Sequence, residues 1–204
     1  NVYHSIDESA LHHLKWLNYM TLSNCLVQQG KESVVAVKLF SAWATHIPES
    51  YARQQLFIAA QRAMGVVCSM GHFKDKPVKC QARCREEYTC KVEKQTDVAL
   101  GCEMVADALS GRADVLYLVS SDTDLTAAVK LVRVQAPGVQ VVNVGTFRRQ
   151  HIRAIETSCR TYFSLRLSDL NASLLPEEVT VPDRKPLKRP SEYALPAAAA
   201  PARS

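Results

Sequence analysis

The stretch Val115-Leu116-Tyr117-Leu118-Val119-Ser120-Ser121-Asp122-Thr123-Asp124 decides the fold class. Its short apolar run fits a strand buried on both faces, as the strands of a parallel sheet are. The run leads directly into two carboxylates two residues apart. Residues 124–135 then read as a helix that stops before Pro137-Gly138. On the other side, residues 96–109 read as a helix with Thr96 as N-cap, closed by Ser110-Gly111. Further out, residues 33–43 are β-branched and largely apolar, a helix should start at Pro48, and residues 66–73 form a second strand. Residues 74–91 are a polar, cysteine-bearing stretch. Downstream lie a strand over 139–144, a helix over about 148–159 and a last edge strand over 162–167. Strands alternating with helices imply βαβ units, hence an α/β fold with a mostly parallel sheet and helices on both faces.

The 204 residues suit one domain with an appendage. At 47% hydrophobic and 22% charged residues the chain can bury a real core. The net charge of +5 is too modest to identify a nucleic-acid partner by itself. Seven cysteines without a regular framework argue against a disulfide-stapled secreted scaffold. No apolar run reaches the roughly 20 residues of a membrane span, and no signal-peptide pattern is present, so the reading is cytoplasmic.

Geometry brings a third acid to Asp122 and Asp124. A helix of about 13 residues beginning at Asp97 advances roughly 20 Å, and the strand after Gly111 returns over a similar distance. Asp97 therefore lands beside Asp122, while Asp107 and Asp114 fall at the opposite edge as solvated charges. A competing reading makes Asp122 or Asp124 a simple helix cap, which accounts for one acid and not for the pair. Three carboxylates without an obvious basic counterion repel one another, and a hard divalent cation, Mg²⁺ or Mn²⁺, relieves that cost. Lys94, one turn before Asp97, is the expected basic contact for a phosphate.

The segments Glu93-Lys94-Gln95-Thr96-Asp97-Val98, Asp107-Ala108 and Leu118-Val119-Ser120-Ser121-Asp122-Thr123-Asp124-Leu125 together resemble the NYN domains of the LabA-like group, which are PIN-like nucleases. Arg53-Gln54 also fits. The resemblance covers about residues 1–167 and implies a PIN-like, Rossmannoid sheet. It further implies a metal-dependent ribonuclease, acting on RNA through carboxylates at Asp97, Asp122 and Asp124. Asn1, Lys94, Ser120 and Ser121 are the expected substrate contacts. Two departures are mild: Ser121 stands where the family often has Gly, and Thr126-Ala127 where a Pro is common. Asn1-Val2-Tyr3 resembles the end of the family's Asp-Gly-Phe-Asn motif, so the first strand and first aspartate are expected ahead of Asn1.

Two other classes fit some of the same residues. Asp122-Thr123-Asp124-Leu125-Thr126 matches the nucleophile motif of haloacid-dehalogenase-like phosphatases, but the acids and lysine needed downstream are poorly placed. A non-catalytic NYN module binding RNA or a protein is the second alternative.

Cys80, Cys84 and Cys90, with His72 upstream, can supply four ligands to a structural Zn²⁺. The loose spacing fits unliganded thiols equally well. Cys25, Cys68, Cys102 and Cys159 sit in apolar surroundings and read as small core residues. The expected domain boundary is a nuclease domain over 1–172 and a disordered Pro/Ala-rich basic tail over 173–204. Lys185, Lys188 and Arg189 of that tail either touch phosphate or are simply solvated.

Overall fold

A computed structural model describes residues 6, 9–80, 86–145, 159 and 161–196. A 3₁₀ segment (Ser9–Lys15) and helix α1 (Tyr19–Leu26) come first, and the Asn18 side chain caps α1 by accepting from the backbone N–H groups of Met20 and Thr21. Strand β1 (Lys38–Trp43), helix α2 (Pro48–Ala63) and strand β2 (Val67–Lys79) make a βαβ unit with β1 and β2 parallel. Strand β3 (Glu87–Lys94) returns antiparallel along β2. Helix α3 (Thr96–Leu109) crosses to β4 (Val115–Val119). Helix α4 (Thr126–Gln135), β5 (Gln140–Gly145) and β6 (Thr161–Ser164) follow, and β4, β5 and β6 are parallel throughout.

These strands form two three-stranded sheets, in the orders β1-β2-β3 and β4-β5-β6. Helices cover both faces of each. On the first sheet, Gln54 of α2 donates to the Ser41 hydroxyl and the Ala42 carbonyl, while Lys38 reaches α3 from the other face. On the second, Leu118 and Val141 pack against Met104 and Ala108 of α3 and Val129 and Val132 of α4. The opposite face, with Val142 and Val144, is covered by Leu14, Leu17 and Leu22. Each such side chain, fully buried, contributes about 1.5–3 kcal/mol. Among the described residues β1 and β4 are edge strands, and α3 packs on the sheets of both.

The α/β class and its parallel pairing agree with the sequence reading, and α3 and β4 begin and end where expected. Other expectations need correction. Within residues 74–91, read as a polar stretch, 74–79 and 87–91 instead extend β2 and β3 into a long two-stranded ribbon. Thr96 does not cap α3; Gln95 holds that position, in the left-handed region at φ 77°. β1 starts at Lys38, leaving the exposed Val35 outside it.

The segment read as a disordered tail is folded as far as residue 196. Leu175, Val179 and Tyr193 are buried with Trp16 and Ala60 against α2. The indole N–H of Trp16 donates to the Pro176 carbonyl at 2.9 Å. β7 (Glu178–Val179) and β8 (Leu187–Lys188) pair antiparallel. Four apolar anchors, counting Leu187, are scattered among the prolines, so composition alone hid them. Arg189 is buried and donates to the Leu175 carbonyl at 2.8 Å, which gives it a structural task. The helix expected over 148–159 falls almost wholly outside the described residues.

Lys38 is the test of how α3 is held. Its ammonium lies 2.6 Å from Asp107 and 2.8 Å from Glu103, with Asp107 largely shielded. Replacing Lys38 with Met leaves the Asp107 carboxylate only the longer contact from Arg112 at 3.4 Å, and we expect a loss of about 1–3 kcal/mol. Urea unfolding at an unchanged m value would measure it; no loss would show that the ion pair does not fasten α3.

Candidate functional site

At the end of β4 the chain leaves the sheet under tight control. Asn143, buried within the apolar β5, donates its side-chain amide to the Leu118 carbonyl at 3.3 Å and the Ser120 carbonyl at 3.0 Å. The Ser120 hydroxyl, also buried, accepts from the Asp122 N–H at 3.1 Å. One carboxylate oxygen of Asp122 then accepts from the Asp124 N–H at 2.9 Å, capping the 3₁₀ turn Thr123–Leu125. Asp122 thus has the capping role set against it in the sequence reading, with its other oxygen left for further contacts. Asp124 is exposed.

The start of α3 meets this turn. Gly101 sits where an added Cβ would touch Leu125 at 3.8 Å and Ala128 at 3.4 Å, so helix and turn are in close contact. Asp97 lies one helical turn before Gly101. Its carboxyl is held above the ordinary carboxylate value, first by partial desolvation and then by the charges of Asp122, Glu93 and Asp124. The chain enters α3 through Gln95, whose left-handed backbone costs a non-glycine residue about 1–2 kcal/mol. Such strain is often kept where a neighbouring group must be aimed. Gly71 of β2 lets the backbone come close here: a Cβ there would lie 2.5 Å from the Lys94 carbonyl oxygen, so no larger residue fits.

Among the described residues, no Lys, Arg or His forms an ion pair with Asp97, Asp122 or Asp124. Nor, among them, do three His, Cys, Asp or Glu side chains gather closely enough to hold a metal ion as they stand. The donor chemistry nonetheless fits a hard divalent cation: oxygen ligands only, of one charge sign, with Asp122 and Asp124 raising the cost of ionising Asp97. Lys94 is exposed at the end of β3. A cleft of about 320 Å³ opens between β1, β2 and the start of α3, lined by Phe40, Met70, Gly71, Thr96 and Val98 but not by Asp97. Asn1 lies outside the described residues. Glu93 and Asn143 were missed by sequence reasoning; an Asn inside the run Val141–Val144 was the available signal for the second.

The zinc set is not assembled. His72 pairs in register with Lys94, and Cys90 with Lys76. The two are thus four residue steps apart on the ribbon, about 13 Å, and Zn–S and Zn–N bonds near 2–2.3 Å cannot span that. Cys80 lies as far beyond Cys90 in the other direction, and Cys84 is outside the described residues. The core assignment of the other thiols also fails: Cys25 and Cys102 are exposed, Cys68 and Cys159 only half-buried. Asp107, read as a solvated surface charge, is instead the partner of Lys38 and Arg112.

An α/β fold with an acidic turn at the end of a parallel strand is the class of protein this geometry defines. The NYN domain family model matches residues 1–166, and the chain belongs to that family, a branch of the PIN-like nucleases. A curated relative, the 6-hydroxy-3-succinoylpyridine 3-monooxygenase HspA of Pseudomonas putida, is 30% identical over 123 residues. That match takes in 58% of this chain and 39% of the relative, so the chain spans well under half of the relative's length. A crystal structure of a protein of unknown function from Vibrio parahaemolyticus shares the fold, with a TM-score of 0.51 at 19% identity over 78% of this chain and 82% of that one. Among the described residues no helix is long and apolar enough to cross a membrane.

Asn143→Leu conserves volume but removes the amide that fixes the exit from β4. We expect a loss of about 1–3 kcal/mol, read as a lower urea midpoint. An unchanged midpoint would mean the two carbonyls do not depend on that amide.

Proposed function

We propose that this chain is a cytoplasmic metal-dependent ribonuclease that hydrolyses RNA phosphodiester bonds at the carboxyl end of β4. One observation supports it above the rest. Asp97, at the start of α3, lies near enough to Asp122 and Asp124, in the turn after β4, for their charges to raise its pKa, and among the described residues none of the three has a basic ion-pair partner. Asp97, Asp122 and Asp124 would hold Mg²⁺ or Mn²⁺. When bound, such an ion polarises a phosphoryl oxygen and promotes attack by water.

The chain's own groups do the rest. Asp122 is oriented by its bond from the Asp124 N–H and by the Ser120 hydroxyl behind it. Lys94 would meet the phosphate as a flexible point charge, with Ser121 next to Asp122 and Ser120 holding the turn from behind. The cleft at the start of α3, with Phe40 and Met70, has the apolar walls that suit a base.

A second reading is a module that binds RNA without turnover inside a longer protein. The coverage of HspA favours it, since there the matched region is only 39% of an enzyme named for a different activity. Asp122→Asn separates the two. On the nuclease reading it abolishes Mn²⁺- or Mg²⁺-dependent cleavage of single-stranded RNA while leaving the thermal midpoint within a few degrees. Tight RNA binding by the unaltered chain, with no metal-dependent cleavage, would establish the module instead.

Asp97 provides an independent check without turnover. Its folded value lies above its unfolded one, so ionising it opposes folding. Stability therefore falls as pH rises from the unfolded carboxylate value through the folded one. Asp97→Asn should raise the metal-free thermal midpoint at neutral pH, leave it unchanged in acid below that window, and remove the increase that Mn²⁺ produces in the unaltered chain. A Mn²⁺-induced increase that survives the substitution would place the ion elsewhere.

A further inference from the structure

The ribbon formed by β2 and β3 runs well beyond the sheet. β1 pairs with β2 only as far as His72, whereas β2 and β3 continue together to the Lys79–Glu87 pair. Directly opposed residues share a face and successive residues alternate, so the register sorts every side chain. One face carries Phe73, Asp75, Pro77 and Lys79 opposite Glu93, Lys91, Thr89 and Glu87. The other carries His72, Lys74, Lys76 and Val78 opposite Lys94, Val92, Cys90 and Tyr88.

The charges divide unequally between the faces. All the acids of the paired strands lie on the first, where Lys91 meets Asp75 at 2.5 Å and Lys79 meets Glu87 at 2.9 Å. The second holds Lys74, Lys76 and Lys94 with no acid, all three exposed, beside a Tyr88 that is 54% exposed. Half-buried Val78, Val92 and Cys90 run between them. Lysines on a strand edge often serve only to block edge-to-edge aggregation. That purpose is met by lysine on either face and gives no reason to move every acid to one side. Lys74 and Lys76 are also same-face neighbours about 7 Å apart, a repulsion that no carboxylate on that face offsets.

We propose that this lysine face of the ribbon is a docking surface for the phosphate backbone of single-stranded RNA, guiding the strand toward the acidic end of β4. The choice of RNA over other polyanions rests on the function proposed above; the charge complementarity does not. Three lysines in line present point charges along one strand, and Tyr88 offers a stacking surface for a base. Lys94 is the last of them, three residues before Asp97, so the face leads directly into the candidate site.

The test compares two double variants of equal charge. Lys74→Gln/Lys76→Gln alters the lysine face; Lys79→Gln/Lys91→Gln removes two charges from the opposite face. Exposed ion pairs such as those of Lys79 and Lys91 are worth about 0–1 kcal/mol, so both variants should fold, as circular dichroism can verify. Binding of a labelled oligouridylate is followed by fluorescence anisotropy against salt, in EDTA so that nothing is cleaved. This readout is independent of whether the acidic site turns over. The slope of log affinity against log salt should fall by about 1.4 for the lysine-face variant, roughly 0.7 per lost phosphate contact, and stay near the unaltered value for the other. Equal losses in both variants, or none in either, would overturn the proposal. Polyglutamate that displaces the oligouridylate completely at matched charge would overturn it as well, reassigning the face to an acidic protein.

Discussion

The placement of everything functional depends on how α3 is pinned. Its far end is tied to β1 by Lys38, which bridges Asp107 and Glu103. Desolvation works against the Lys38 charge, but the two carboxylates outweigh it and hold its pKa above the ordinary lysine value. The middle of the helix is fixed differently, by Gly101, Met104 and Ala108, which recur at helical spacing and face α4 and β4. One helix thus answers to both sheets. A rigid rod about 20 Å long with its base set by an ion pair and its middle by packing has little freedom left at its tip, and the tip carries Asp97.

That arrangement explains why part of the molecule could be read from the sequence. The helix Thr96–Leu109 and the strand Val115–Val119 each write their own pattern, one with a 3.6-residue period and one as a continuous apolar run. Rise per residue then places Asp97 by Asp122 without any tertiary information. The opposite end was legible only in position. Asp107 was correctly separated from the candidate site, but its ion pair depends on β1, some seventy residues earlier in sequence, and no local pattern announces such a partner.

The ribbon and the C-terminal segment were missed for opposite reasons. A strand beyond the edge of a sheet buries neither face, so alternation of lysine with aspartate replaces the usual apolar alternation and resembles a loop. In the C-terminal segment the fold needs only Leu175, Val179, Leu187 and Tyr193 to dock against α2. Prolines between such anchors reduce the entropy lost on ordering, so a composition that suggests disorder can equally well be a strap. The cysteines show the same limit. Spacing along the chain suggested a shared ligand set, but an extended ribbon separates residues by more than 3 Å per step and spreads them apart.

Charge is distributed here as a gradient rather than as pairs. The turn after β4 and the start of α3 concentrate carboxylates with no ion pair among the described residues, although partial desolvation and the neighbouring carboxylates make ionising the exposed Asp97 costlier. A few residues away in sequence, the ribbon concentrates lysines on a face from which carboxylates are absent. Neither arrangement stabilises the fold, and the chain has the means to avoid both, since the other ribbon face interleaves the same residue types into ion pairs. Each cluster gains only when an opposite charge arrives from outside. On the proposed reading a polyanion would satisfy the lysines and a divalent cation the acids, and a strand of RNA lying on the lysine face would bring a phosphate to the acidic end. The two clusters would then be complementary halves of one electrostatic arrangement, joined by the single turn Lys94-Gln95-Thr96-Asp97.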